Sequence, residues 1–454
     1  MNFKTTLILG LVLAVGVVLV LFVDKQDKER EEQKELEEKL LVIEKENINE
    51  LYLQPSGIHV VRDTLMDTWK ITGPVQTEAD KQAIDDILNV LNRAKTERAI
   101  SSDSSEYHVF GLDPARGKLV LVHNGQQDTL FIGDENPTGS FVFARKSGTP
   151  QVFLTTTTLK THIEKNLFDL RDKRALAFEK NQVMGLDLKN PQGSFSLERD
   201  MGFWTLTSPL ETRADKSTVD QILNQLSSAK AKKFVDESPA SGRAYGLDSP
   251  RYLLDLYIGA DNAKKTLTLG DAIDATFYAK DESRKPVFTV DSSFVHKLDV
   301  DLYELRYKKL SEVTSGQVNK LILDYVDSTI VCEKDTAGNW MITEPIIQPA
   351  KSWKISSVNS AIGRLEAKKF VSQAPKSLRP YGLAKPQLRA TFYDKEDNKI
   401  AELMFGKDKG DQVYAKSENL KPVVLVDKDI VDDLYVSLDD LIDTTKVQSK
   451  TVEE

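Results

Sequence analysis

Between residues 47 and 156 the chain carries short runs in which apolar or β-branched residues alternate with polar ones: NINELYLQ, IHVVR, TWKIT, KLVLVHN, DTLFIG, FVFARK and QVFLTT. A period of two sends successive side chains to opposite faces, so these runs predict strands with one buried face. Two segments break the alternation. After Thr77, apolar residues recur at Ile84, Ile87, Leu88 and Leu91, the three-four spacing of an amphipathic helix, and the offset from Thr77 to Asp80 resembles a capping pair. A second helix is predicted near Leu159 to Leu170.

The same pattern then returns twice. Trp69-Lys-Ile-Thr-Gly-Pro74 reappears as Trp204-Thr-Leu-Thr-Ser-Pro209 and Trp340-Met-Ile-Thr-Glu-Pro345, a step of about 135 residues each time. Phe110-Gly111-Leu112, Tyr245-Gly246-Leu247 and Tyr381-Gly382-Leu383 keep the same spacing. So do Gly133, Gly270 and Gly406 at the end of an apolar run, and Leu167/Leu170, Leu302/Leu305 and Leu438/Leu441 at the close of each copy. The helix face returns as Val219, Ile222, Leu223 and Leu226, and then as Ile355, Val358, Asn359 and Ile362, with one polar substitution. A fixed period is the mark of a repeated structural unit. The predicted fold is α+β: three tandem repeats of about 135 residues, each a mostly antiparallel sheet with two helices, at 48–177, 178–312 and 313–446, with a polar tail at 447–454.

Ahead of the repeats the pattern changes. Thr5 to Val23 holds no charge over nineteen residues, nearly enough to cross a bilayer core of about 30 Å at about 1.5 Å per residue. The run is longer than the roughly 7–15 residues of a signal-peptide core and no A-x-A-like site follows, so residues 1–23 are expected to be a retained transmembrane anchor. Residues 24–47 are mostly charged, without Gly or Pro, and predict a helical stalk. Its apolar patch, Leu40 to Ile43, either docks on the first repeat or pairs with another stalk. Lys4 precedes the span while Lys25, Lys28, Arg30, Lys34 and Lys39 follow it, and this cation count alone would keep the repeats inside the cell.

Composition narrows the chemistry. A net charge of −9 and the lack of a basic stripe argue against nucleic acid. One cysteine, Cys332, excludes an internal disulfide framework. His59, His108, His123, His162 and His296 show no ligand spacing, so neither metal nor other cofactor is expected. Ser227 to Lys230 matches S-x-x-K without the other elements of an acyl-transfer site, and phosphate loops and nucleophile elbows are absent from the sequence. No catalytic residue is assigned.

The recurring residues read as structural anchors: Trp69, Trp204 and Trp340 over a sheet face, Gly111, Gly246 and Gly382 in turns, Pro74, Pro209 and Pro345 at strand exits. Arg145, Lys280 and Lys416 occupy equivalent positions after an aromatic-Ala pair and form the one candidate ligand-facing set, a regularly spaced basic row.

An anchor followed by W-x-[IL]-T-x-P or a close variant, [FY]-G-L turns, an apolar-Gly turn and a closing L-x-x-L resembles a bacterial family of domains of unknown function. Its members are often encoded beside, or fused to, auxiliary proteins of gliding-motility-type ABC transporters. The resemblance spans residues 48–446 and rests on packing motifs. It implies a non-enzymatic, single-pass inner-membrane protein with extracytoplasmic repeats, serving as accessory or scaffold subunit of an ABC-type transport or motility complex. The alternative is an envelope protein that binds polysaccharide, peptide or lipid in clefts between repeats. The third copy departs from the pattern at Asp439, Asp440 and Ile442, where the earlier copies have Phe168 or Tyr303, Asp169 or Glu304, and Arg171 or Arg306.

Overall fold

The computed structural model describes residues 21–22, 24–26, 30, 38–418 and 420–447. The alternating runs of the first repeat become β1 (Ile48–Gln54), β2 (Ile58–Asp63), β3 (Thr68–Gly73), β6 (Gly117–His123), β7 (Gln126–Glu135), β8 (Phe141–Lys146) and β9 (Val152–Thr156). Two strands join them that the pattern does not predict: β4 (Thr77–Glu78) and β5 (Arg98–Ser101). All nine lie in one sheet in the order β4-β3-β2-β1-β6-β7-β8-β9-β5. The neighbouring pairs are antiparallel, with Leu51 opposite both Val60 and Leu121 at its centre.

The second and third repeats build the same nine-stranded sheet. In the second these are β10 (Val183–Asn190), β11 (Gly193–Asp200), β12 (Phe203–Ser208), β13 (Thr212–Arg213), β14 (Lys233–Asp236), β15 (Tyr252–Ile258), β16 (Ala263–Ile273), β17 (Thr276–Asp281) and β18 (Val287–Asp291). In the third they are β19 (Lys320–Tyr325), β20 (Thr329–Lys334), β21 (Trp340–Glu344), β22 (Gln348–Pro349), β23 (Lys369–Ser372), β24 (Leu388–Tyr393), β25 (Lys399–Lys409), β26 (Gln412–Ser417) and β27 (Val423–Asp427). The chain divides into two compact units, Met1–Ala177 with Ser228–Ser249 and Leu269–Ser292, and Phe178–Ser227 with Pro250–Thr268 and Ser293–Glu454.

Helix α1 (Lys81–Arg93) buries Ile84, Ile87, Leu88 and Leu91, the face predicted from their spacing. Its cap differs from the expectation. Thr77 is taken into β4, and Asp80 caps the helix by accepting from the Ala83 amide at 3.2 Å. The second predicted helix is two: α2 (Thr157–Ile163) and α3 (Leu167–Leu170). Asn166 stops the run by forming a capping box with Asp169. The same box recurs as Asp301 with Glu304 and as Ser437 with Asp440, so Asp440 does the work of its counterparts in the earlier copies.

The two recurring glycines of each copy meet. Gly111 has φ +67° and Gly133 runs beneath the same turn, where a Cβ would stand 2.1 Å from the Phe110 carbonyl oxygen. Gly270 meets Tyr245 at 2.0 Å and Gly406 meets Tyr381 at 2.1 Å in the same way. The aromatic-Gly-Leu motif and the apolar-Gly motif are therefore the two sides of one backbone contact that admits no side chain. Trp69, Trp204 and Trp340 are 2%, 3% and 6% exposed, each with its cis Pro five residues on.

The N-terminal expectation is corrected at its last turns. Residues 39–44 are not helical. The Leu40 amide donates to the Ala94 carbonyl and the Thr96 amide to that of Glu38, both at 2.8 Å, and Leu40, Leu41 and Ile43 enter the core of the first repeat. Of the two fates open to this patch, docking is the one adopted. The segments at Lys173–Ala175 and Lys308–Leu310 lie equivalently against Ala229–Ala231 and Leu365–Ala367. Apart from Leu21 and Phe22, the Thr5–Val23 run lies outside the described residues. No helix among the described residues is long and apolar enough to cross a membrane.

Candidate functional site

Of the basic row expected from Arg145, Lys280 and Lys416, each member has a partner within its own repeat. Arg145 on β8 lies 3.8 Å from the Phe131 ring centre and 4.7 Å from that of Tyr107. Lys280 on β17 pairs with Glu282. Lys416 on β26 donates to the carbonyls of Leu420 and Lys421 at 3.2 and 3.0 Å, and burial holds its ammonium below the usual lysine range. Cys332 is buried and its thiol is pushed up to about 12 by that burial. Among the described residues no group of three His, Cys, Asp or Glu stands close enough to hold a metal ion.

The chemistry collects instead where one repeat ends and the next begins. The backbone of Arg171 bridges Ala79 of its own repeat, while its side chain reaches β14 of the following one. There the guanidinium lies 3.3 Å from the Phe234 ring centre and donates to both Glu237 carboxylate oxygens, at 2.6 and 3.2 Å. Such a fork-to-fork pair neutralises a cation that is only 2% exposed. Phe168 meets the same ring edge-on at 6.2 Å. Beside this pair, Arg284 donates to the carbonyls of Arg174 and Ala175 and to Asp281, while Asp172 holds Arg174. This junction is filled.

The next junction repeats the frame with different residues. Arg306 bridges Ala214, lies 3.4 Å from the Phe370 ring centre, is 3% exposed, and has Tyr303 edge-on to the same ring at 6.2 Å. Its partner is Gln373, whose amide oxygen accepts at 2.9 Å. Among the described residues no carboxylate is paired with the guanidinium, and burial pushes its pKa down to about 10. Lys285-Pro286 of the second repeat corresponds to Lys421-Pro422 of the third, which sets Leu420 against Arg284. The side chain that fills the first junction therefore has no equivalent here.

A cleft of about 650 Å³ opens in that place, lined by Thr205, Arg213, Tyr307, Lys309, Glu312, Gln373 and Leu420 among others. Arg213 pairs with Glu312 at 2.8 Å and covers the Tyr307 ring at 4.0 Å. The Tyr307 hydroxyl donates to Glu312 at 2.6 Å. Burial and that carboxylate raise the Tyr307 hydroxyl, whereas the hydrogen bonds from Tyr307 and Arg213 hold Glu312 below the usual carboxylate range. Sequence reasoning missed this cleft, although superposing the repeats in the register of Tyr245-Gly246-Leu247 on Tyr381-Gly382-Leu383 would have set Leu420 against Arg284 and Gln373 against Glu237.

A second concavity, about 770 Å³, lies within the third repeat and includes Tyr325, Asp408, Lys428 and Tyr435. Its polar groups are largely engaged. Lys428 pairs with Asp408, and the Tyr325 hydroxyl donates to the Leu434 carbonyl at 2.8 Å and accepts from the Val436 amide at 3.2 Å.

Three successive segments, residues 69–202, 204–340 and 340–453, match the family described as Domain of unknown function (DUF4340). The chain belongs to this family. Each DUF4340 match begins at or beside a recurring tryptophan, on the third strand of a sheet, so the first two matches run from one sheet into the next, and each holds a junction arginine, Arg171 or Arg306, whose ring, Phe234 or Phe370, falls in the following match. No curated protein matches the chain. Among solved structures, the DNA polymerase sliding clamp from Pseudomonas aeruginosa aligns over 84% of this chain and 92% of that one, at 7% identity and a TM-score of 0.14, a likeness too slight to support any argument.

Proposed function

We propose that this DUF4340 chain is a non-enzymatic scaffold or accessory subunit, held at the bacterial inner membrane by its N-terminal segment, with its repeats outside the cytoplasm, serving an ABC-type transport or gliding-motility-like complex. One observation carries the scaffold reading: the residues that recur between copies are spent on packing. The buried tryptophans, the paired glycines and the capping boxes build each sheet. The membrane and transporter parts rest on the apolar Thr5–Val23 run and on the family resemblance.

The test is an affinity pull-down of the full-length protein from gently solubilised native membranes, alongside a chain beginning at Asp24. An ABC permease or ATPase returning with the full-length form supports the accessory role, and its loss on truncation places the contact in the anchor. Return of no membrane partner sinks the transporter link.

A second reading, an envelope protein that binds a ligand between repeats, is favoured by the open cleft at the second junction where the first is filled.

A further inference from the structure

The two junctions differ in a way that specifies a ligand. At the first, a buried guanidinium meets a carboxylate, and Arg284 occupies the space beside it. At the second, Arg306 is as deeply buried, its amide partner Gln373 carries no charge, and Leu420 leaves the space open. A buried cation without a counter-charge is unfavourable unless an anion is brought to it. Gln373 accepts from Arg306 through its amide oxygen and also lines the cleft, so its amide nitrogen is left to donate to an anion there and its side chain links that anion to the guanidinium. Lys309 and Lys421 add cations at a wall that also carries Glu211 and the Arg213–Glu312 pair, and Leu210, Leu310 and Pro422 add an apolar surface.

We propose that the cleft at the second junction binds a small organic carboxylate with an apolar body, its carboxylate directed to the Gln373 amide that Arg306 holds and its body to Leu210, Leu310 and Leu420. This rests on the ligand-binding reading and names the ligand class for it. A volume of about 650 Å³ lies within the roughly 300–1,000 Å³ usual for small-molecule sites.

The test is calorimetric titration of the full-length protein in detergent with hexanoate, N-acetyl-leucine and phenylacetate, each beside its uncharged partner hexanamide, N-acetyl-leucinamide or phenylacetamide. The three acids separate a simple aliphatic carboxylate, a peptide-like terminus and an aromatic acid as sources of the same group. At least one acid is expected to bind while its neutral partner does not. Gln373→Glu, which copies the first junction and supplies the missing charge within the chain, is expected to weaken that acid at least about tenfold. Leu420→Arg, which restores the filling side chain, is expected to do the same. Gln373→Glu is close to isosteric, so it decides the matter should Leu420→Arg fail to fold. Equal binding of acid and neutral partner overturns the carboxylate assignment and leaves the ligand-binding reading standing. Binding of none of the six overturns both at this cleft. Binding unchanged in Gln373→Glu and in folded Leu420→Arg places the ligand elsewhere and overturns the proposal.

Discussion

Gly133 lies so close beneath Phe110 that a Cβ on it would stand 2.1 Å from the Phe110 carbonyl oxygen. The obstruction is backbone, which cannot rotate away as a side chain can. Gly133→Ala is therefore expected to lower stability by about 1–3 kcal/mol through overpacking. Urea denaturation followed by tryptophan fluorescence measures it. Gly316→Ala is the control, because nothing lies within 4 Å of the added methyl and the backbone there is not left-handed. A loss at Gly133 no larger than at Gly316 would refute the contact.

Glu237 and Gln373 occupy equivalent positions beside buried arginines, and exchanging their chemistry should move stability in opposite directions. Glu237→Gln leaves Arg171 without its counter-charge, and Gln373→Glu gives Arg306 one. Glu237 is 42% exposed, so screening limits each change to about 1 kcal/mol. The unfolding midpoints of both variants decide it, and a shift of the same sign in both contradicts the account.

Asn359 takes the place of Leu88 and Leu223 on the buried helix face. It is 4% exposed, and its amide oxygen has no hydrogen-bond partner among the described residues. Replacing an unsatisfied buried polar group with a side chain of similar shape removes its desolvation penalty. Asn359→Leu is expected to stabilise by about 1–3 kcal/mol in a denaturant titration.

Asp172 predicts an acid limb to stability. Burial raises its pKa, but the side-chain and backbone hydrogen bonds from Arg174 and the charges of Arg174 and Arg284 outweigh it, leaving the carboxyl below its ordinary value. A carboxylate with a lowered folded pKa stabilises fully above its unfolded value of about 3.9, and that contribution is lost as the pH falls through the folded value. Stability measured from pH 5 downward should thus fall less steeply in Asp172→Asn than in the unaltered chain. Identical slopes would remove Asp172 from the account.

Much of the fold was legible because it is periodic. The strands of each copy follow the alternation of runs such as Thr68–Gly73, and α1 follows the spacing of Ile84 to Leu91, since both depend only on which face is buried. Strands β4 and β5 were not legible. Thr77–Glu78 is too short to show a period, and Arg98–Ser101 is largely exposed, so pairing with β3 and β9 creates them. Leu40 could not be assigned between two partners for the same reason: an apolar patch states that it will be covered, not by what.

The sequence by itself determined the three copies, their period, the longer strands and first helix of each, and the family, because these follow from local spacing and from motifs that return at a nearly constant interval. Only the tertiary structure decided that Gly133 and Phe110 touch, that Arg171 and Arg306 cross into the next sheet, and that one junction is filled while the other is open. Whether a buried charge is neutralised depends on what stands within a few ångströms of it. For Arg306 that neighbour is Gln373, 67 residues away along the chain.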